Sequence, residues 1–421
     1  MKIVLDTLGC KLNQAETELL VRQFTEAGHT VVSSAETADV YILNTCTVTH
    51  TADAKSRQFL RKVYRQNPNI TIVATGCYAQ RAPEILKQLE GVTLTASNND
   101  KLNLPAILEK NGFHGKPESI TPQQLYEDIP ESRIRSFIKI QDGCSNFCSY
   151  CIVPFVRGRE KSLPAHDVIK QIKDRVTNGI KEIVLTGTEI GSYDDNGVNL
   201  QELLARILIE TNVQRLRLSS LQPDEITPGL LALWNDRRLC PHFHVSLQSG
   251  SDSVLSRMNR RYDTVIFRES VSLIRSLLPD VAITTDIIAG FPGETNEEYC
   301  ASLDMCQEMG FARIHVFPYS QRPGTSAAAM PLQVPNSVKK QRNRNLGILS
   351  KECTKSYRQR FTGRTMDVLW ETQSGGIWSG YTGNYIRIYT RCKNNLANRV
   401  DQVTLEKLYR DGIWGKIEGE I

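Results

Sequence analysis

The sequence predicts an α/β protein in three parts: an N-terminal open parallel α/β sheet, a central partial (β/α)6 barrel and a small C-terminal β-barrel. Three observations predict it. Strand-like and helix-like stretches alternate over residues 1–125, and from Phe137 the alternation restarts and runs through six strand-then-helix units. Beyond Thr365 the pattern changes to short β-rich pieces separated by glycine-containing turns.

In the first part the strands are expected at Lys2–Leu8, Asp39–Thr45, Ile70–Thr75 and Val92–Ala96. Helices are expected near Gln14–Ala27, Ala52–Asn67, Ala82–Leu89 and Lys101–Lys110. Residues 111–131 hold three prolines and many polar residues and read as a linker. The barrel strands are expected at Phe137–Gln141, Ile180–Thr186, Arg215–Ser220, His242–Gln248, Ala282–Ile288 and Arg313–Tyr319, each followed by a helix. The resulting boundaries are 1–125, 132–335, a basic helical linker over 336–364, and 365–421.

Composition narrows the function. The chain has 421 residues, 40% hydrophobic and 23% charged, enough for two or three domains with real cores. No run of eighteen apolar residues occurs and the N-terminus lacks a secretory leader's apolar region, so the expectation is a cytoplasmic protein with no membrane partner, and a monomer. Net charge is a mild +5, but nine basic residues and one acidic residue lie between Val338 and Arg364. Such a stretch attracts phosphate backbones, or else forms a solvated helix face.

Eleven cysteines in a cytosolic chain point to metal ligation rather than disulfides. Cys144, Cys148 and Cys151 share one tight loop after the first barrel strand, with no fourth Cys or His within a dozen residues. Three thiolates with one unfilled site favour an iron–sulfur cluster with an open iron over structural zinc. Cys10, Cys46 and Cys77 are far apart in sequence, yet each sits just past an expected strand. The C-terminal strand ends of an open parallel sheet share one edge, so these three converge. Cys240, Cys300, Cys306, Cys353 and Cys392 read as structural; Cys300 and Cys306 do not share a helix face.

The CxxxCxxC loop, with Tyr150 before its last cysteine, resembles the radical S-adenosylmethionine (SAM) superfamily. That resemblance implies an open iron that binds SAM and a 5′-deoxyadenosyl radical formed by its cleavage. It assigns SAM contacts to Tyr150, Thr188, Glu189, Ser220, Gln248, Gly290 and Phe291. With the second cysteine triad and the β-rich tail, nearly the whole chain resembles the methylthiotransferase family, through blocks such as Leu8-Gly9-Cys10-Lys11-Leu12-Asn13, Asn44-Thr45-Cys46, Gly76-Cys77-Tyr78-Ala79-Gln80-Arg81 and Leu247-Gln248-Ser249-Gly250-Ser251. In that family Cys10, Cys46 and Cys77 would hold an auxiliary [4Fe–4S] cluster linked to sulfur insertion, and the tail would be a TRAM-like RNA-binding barrel. Cofactors would be two [4Fe–4S] clusters and SAM as methyl donor and radical source. An external electron donor and a sulfur donor would also be required.

The text around Cys46, Asn-Thr-Cys-Thr-Val-Thr-His-Thr-Ala-Asp, is similar to the branch acting on threonylcarbamoyl-adenosine in tRNA. The implied partner is the anticodon stem-loop, with Arg81, Arg260, Arg261, Lys339, Lys340, Arg342 and Arg344 as candidate RNA contacts. The isopentenyl-adenosine branch is the alternative substrate. A non-catalytic iron–sulfur RNA-binding regulator and a zinc-stabilised RNA protein are alternatives of another class.

Overall fold

The structure is a computed structural model that describes residues 1–113 and 134–419, so most of the expected linker over 111–131 lies outside the described residues. Two compact units are present. The first comprises Met1–Leu163, Thr186–Thr188 and Ser320–Ala328; the second comprises Pro164–Leu185, Glu189–Tyr319 and Ala329–Ile421.

The first unit is built on a parallel sheet of β1 (Lys2–Thr7), β2 (Thr30–Val31), β3 (Val40–Thr45), β4 (Thr71–Gly76) and β5 (Val92–Thr95), in the order β2-β1-β3-β4-β5. Every residue of β3 is buried, because helices cover a parallel sheet on both faces. Leucine, valine and isoleucine side chains build one core on each face, around Leu43, Leu60 and Ile72 and around Ile3, Phe24 and Ile42. Helix α1 (Lys11–Glu26) follows β1 and α2 (His50–Gln66) follows β3, where Thr49 caps α2 by accepting from the Ala52 N–H. After β4 the chain turns at once into α3 (Cys77–Arg81), not into a helix from Ala82. Ala82 leaves the helical region because Pro83 follows it, and a second short helix runs Pro83–Lys87. The edge strand β2 was not expected; two residues carry no readable period.

The same unit holds β6 (Arg135–Lys139), the cysteine loop and α4 (Val153–Arg157). Ser136 and the Phe137 N–H donate to Glu18 of α1, which ties β6 to that helix.

In the second unit β7 (Glu182–Thr186) pairs in parallel with β8 (Arg215–Leu218). A parallel sheet of β9 (Ser220–Leu221), β10 (His242–Val245), β11 (Ala282–Ala289) and β12 (Arg313–Pro318) follows in that order. Helices α5 (Ala165–Thr177), α6 (Leu200–Glu210), α7 (Thr264–Leu277) and α8 (Asn296–Met309) alternate with these strands. β10 ends at Val245, short of the expected Gln248, which has φ of 67° and so leaves the strand. After the 24-residue α9 (Asn336–Gln359), five strands close a barrel: β13 (Thr365–Ser374), β14 (Ile377–Thr382), β15 (Arg387–Thr390), β16 (Val400–Tyr409) and β17 (Gly412–Ile417). Trp370, Val368, Ile388, Val403, Leu405 and Ile413 fill it. No described helix is long and apolar enough to cross a membrane.

Candidate functional site

Cys10, Cys46 and Cys77 stand at the same edge of the first sheet. Register pairs Thr7 with Asn44 and Thr45 with Gly76, so β1, β3 and β4 end side by side. Two glycines make the close approach possible. Gly9 has φ of 105°, and a Cβ there would lie 2.8 Å from the Cys46 Sγ. Gly76 has φ of 93° and ψ of −167°, a region essentially closed to other residues, and a Cβ there would lie 2.5 Å from the Thr45 carbonyl oxygen. Each glycine immediately precedes a cysteine, so the Gly-Cys pairs at both positions have a steric cause.

These three cysteines are free thiols. Burial pushes the Cys46 thiol up to about 12, and the nearby Cys77 and Cys10 sulfurs add to it. Cys10 keeps an exposed face, yet desolvation raises its thiol as well, against the pull of Arg157. Three sulfurs that share one electrostatic neighbourhood repel as thiolates, so a bound cation must supply the charge that ionises them. The donor set fits an iron–sulfur group.

Cys144, Cys148 and Cys151 form the second triad, in a loop with no regular structure. Backbone contacts fix its shape. The Cys151 N–H donates to the Cys148 carbonyl at 2.9 Å, the Asn146 N–H points at the Cys144 Sγ at 3.5 Å, and the Ala327 N–H donates to the Ser149 carbonyl at 2.7 Å. Gly143, with φ of 75°, lets the loop close on Arg159, whose carbonyl oxygen would lie 2.0 Å from any Cβ. All three cysteines are partly accessible, as a cluster with an open coordination position requires.

Helix α4 joins the two triads. Ile152 and Val156, on either side of its start, pack with Cys77, and Asn98 donates to the Val156 carbonyl at 2.8 Å. Arg157, its last residue, donates to the Asn13 Oδ1 at 2.7 Å. Asn13 in turn donates to the Leu8 and Thr45 carbonyls, the segments that carry Cys10 and Cys46. Arg157 also pairs with buried Glu16 at 2.9 Å and with Asp142 at 2.8 Å, while Lys101 and Lys139 complete the set. Burial alone would raise the Glu16 carboxyl; Lys101, Arg157 and Lys139 overcome that and hold it well below the usual carboxylate range. Asn13, Glu16, Asp142 and Arg157 were not singled out from the sequence. Only Asn13, inside a quoted block, left any trace there.

The residues expected to meet SAM fall into different settings. Tyr150 is half-buried in the cysteine loop. The Thr188 N–H donates to Gln141 at 3.0 Å, while its buried hydroxyl has no partner among the described residues. Glu189 is buried and hydrogen-bonded to Glu225, whose carboxyl desolvation and this neighbour push up to about 8. Ser220 is exposed, and Gln248 is held through its backbone to Asp286 and Ile288. The Gly290 N–H donates to Glu294, and a Cβ on Gly290 would strike Lys339 at 2.5 Å. Phe291 is buried against the Tyr319 ring.

Among the expected RNA contacts, Lys340, Arg344 and Arg261 are exposed. Lys339 is buried over the Tyr319 ring, and Arg342 is buried in an ion pair with Glu294 at 2.8 Å. The basic stretch is therefore two-sided: two of its cations hold α9 against its neighbours within the second unit. Arg260 lies on the Tyr262 ring, and Arg81 pairs with Asp53 at 2.8 Å.

Residues 2–96 match the family described as uncharacterized protein family UPF0004, and residues 138–306 match the radical SAM superfamily. A threonylcarbamoyladenosine tRNA methylthiotransferase (MtaB) of Bacillus subtilis is 36% identical, covering 100% of this chain and 98% of that protein. A tRNA-2-methylthio-N(6)-dimethylallyladenosine synthase of Endomicrobium trichonymphae is 33% identical, over 99% of this chain and 100% of that protein. Among solved structures, the radical SAM methyltransferase TsrM from Kitasatospora setae superposes with a TM-score of 0.57 at 15% identity, covering 78% of this chain and 77% of that one, which speaks to the fold alone. A radical SAM core implies SAM and a [4Fe–4S] cluster. With full-length identity above one third to a methylthiotransferase and both characteristic regions present, the chain belongs to the radical SAM methylthiotransferase family.

Proposed function

We propose that the chain converts N6-threonylcarbamoyladenosine beside the tRNA anticodon to its 2-methylthio derivative. The observation that carries this reading is the pairing of two cysteine triads within one compact unit, joined by α4. Cys144, Cys148 and Cys151 would hold the SAM-binding [4Fe–4S] cluster, and Cys10, Cys46 and Cys77 the auxiliary one. When bound, these groups would supply what no side chain can: a carbon radical able to abstract the hydrogen of an unactivated C–H bond, and the sulfur and methyl group that take its place.

The chain's own residues bind, orient and exclude solvent. Buried Asn13 and the enclosed side chain of Arg157 tie the segments of both triads together, and Gly9 and Gly76 let the strand-end turns approach. By the family resemblance Tyr150, Thr188, Glu189, Ser220, Gln248, Gly290 and Phe291 would be SAM contacts, and the buried Thr188 hydroxyl, unpartnered among the described residues, supports its part in that reading. Exposed Lys340, Arg344 and Arg261, with the closed C-terminal barrel read as TRAM-like, serve the phosphate backbone of the anticodon stem-loop. The functional division we propose is 1–125 for the auxiliary cluster, 132–335 for SAM, 336–364 as a basic helical linker and 365–421 for RNA. An external electron donor, a sulfur donor, a cytoplasmic location and a monomeric state belong to the same reading.

Nucleoside mass spectrometry of tRNA from a strain lacking the gene tests it. Loss of the methylthio group from threonylcarbamoyl-adenosine is expected; loss from isopentenyl-adenosine would transfer the chain to that branch. Absence of 5′-deoxyadenosine when reduced protein, SAM and tRNA are mixed would favour a non-catalytic RNA-binding regulator.

A further inference from the structure

Beside Cys46 and Cys77 lies a group of charges that the chemistry described so far does not use. Arg322 is 1% exposed, and its Nη2 donates to the Thr47 Oγ1 at 2.8 Å and to the Asp53 Oδ2 at 2.7 Å. Arg81 makes the same two contacts, from Nε to Thr47 at 2.7 Å and from Nη2 to Asp53 at 2.8 Å. Thr47 also donates to the Asp53 Oδ1 at 2.6 Å. Two guanidinium groups thus share one carboxylate, which leaves an excess positive charge inside the protein.

The excess is concentrated on Arg322. Its Nε and Nη1 are buried and find no acceptor among the described residues. A buried guanidinium with two idle donor atoms is costly, because the Nη2 contacts to Thr47 and Asp53 offset only part of its desolvation. Asp53 already accepts from Thr47, Arg81 and Arg322 and does not reach the two idle donor atoms. The arrangement is that of a receptor for one small anion.

Position narrows which anion. Thr47 follows Cys46 directly, and Arg81 shares α3 with Cys77, so the arginine pair borders the auxiliary triad. A tRNA phosphate belongs to an outer backbone and is contacted by exposed cations, not by a side chain this deeply enclosed. A single carboxylate on a flexible arm is the anion small and mobile enough to suit so enclosed a donor, and its entry would require Arg81, the least buried member of the group, to move aside. In adenine, C2 and the carbon bearing N6 flank a single ring nitrogen, so a base that presents C2 to the auxiliary site carries its N6 arm into the same neighbourhood. The threonylcarbamoyl arm ends in a carboxylate, whereas an isopentenyl arm is uncharged.

We propose that Arg322, with Arg81 and Thr47, forms the subsite that receives the carboxylate of the N6-threonylcarbamoyl group and so selects this base over uncharged N6 substituents; the proposal rests on the substrate reading above. A site built around a charged donor rejects a ligand lacking the acceptor, because the donor is then left buried and unpaired.

The test uses the reconstituted full-length protein and three anticodon stem-loop RNAs, carrying threonylcarbamoyl-adenosine, its methyl ester or isopentenyl-adenosine. Dissociation constants are measured without SAM. The wild type should bind the free acid about 10- to 100-fold more tightly than the ester, as expected for loss of a charge-assisted contact. Arg322→Gln should erase that difference while leaving ester and isopentenyl binding unchanged, and Arg322→Lys should restore part of it. Equal wild-type affinity for acid and ester, or an acid preference that survives Arg322→Gln, overturns the subsite. The acid–ester comparison decides even if Arg322→Gln does not fold. Turnover separates the two claims. Wild-type methylthiolation of the threonylcarbamoyl RNA without an acid preference removes the subsite and keeps the substrate reading, whereas methylthiolation of the isopentenyl RNA alone removes both.

Discussion

Replacing Gly76 by alanine should remove one cluster and spare the other. Gly76 has φ of 93° and ψ of −167°, where a non-glycine residue costs about 1–3 kcal/mol. The new methyl group would also meet the Thr45 carbonyl oxygen at 2.5 Å and the Asn44 Oδ1 at 2.4 Å. The first of these is backbone at the buried end of the central strand β3 and cannot swing away, so overpacking adds about 1–3 kcal/mol. Together they come to about 2–6 kcal/mol, borne by the turn that places Cys77. That is enough to displace Cys77 from the other two sulfurs while the sheet survives. Anaerobic reconstitution followed by iron counting should show a loss of about four irons per chain, with the cluster at Cys144, Cys148 and Cys151 retained. Gly179 is the control: its φ is 86° but nothing lies within 4 Å of its Cβ, so Gly179→Ala carries conformational strain alone and should keep full iron. A Gly76→Ala protein with wild-type iron content and melting temperature would refute the steric account of the Gly-Cys pair.

Other outcomes follow from the same structure. Changing Cys144, Cys148 and Cys151 together to alanine should leave only the auxiliary iron, and unchanged iron would sink the assignment. Glu16→Ala strands Lys101, Lys139 and Arg157 without their shared buried partner and should destabilise the first unit by about 3–5 kcal/mol, read by chemical denaturation of the cluster-free protein. Because the folded Glu16 carboxyl is depressed, its contribution is fully present above the unfolded carboxyl's pKa of about 4.3 and is lost as pH falls through the lower folded value. Glu16→Gln should flatten that acid limb, and an unchanged limb would show that Glu16 is not its source. Lys340→Gln with Arg344→Gln should reduce the salt dependence of tRNA binding by about two counterions. Arg342→Gln should instead lower the melting temperature through loss of the Glu294 pair, and a smaller salt slope from it would reverse that assignment.

The two cysteine triads were legible because each has a local cause. Three cysteines in one loop declare themselves by spacing, and the other three each follow a run of alternating or buried β-formers. The sheet edge then brings the latter together, as the register between β1, β3 and β4 shows. Arg322 was not legible, and Asp53 stood only inside the block quoted around Cys46, since their ion pair joins residues 269 apart. Arg157 escaped for a similar reason: a charge beside a cysteine loop looks like surface until its partners Glu16 and Asn13 are in view. The basic stretch divides in a way its sequence does not display. Sequence shows charge but not which way a side chain turns, and Lys339 and Arg342 turn inward.

The wide spacing of Cys10, Cys46 and Cys77 also sets an order of events in maturation. Closing intervals of 36 and 31 residues in an unfolded chain costs more entropy than closing the 4- and 3-residue intervals of the other triad, by about 2 kcal/mol for each closure. The nascent chain can therefore offer three thiols to iron from the short loop alone. The strand-end triad has to wait until β1, β3 and β4 have paired. On the proposed assignment, iron delivered before that point would find one competent site, so loading of the auxiliary triad would report completion of the first unit's sheet.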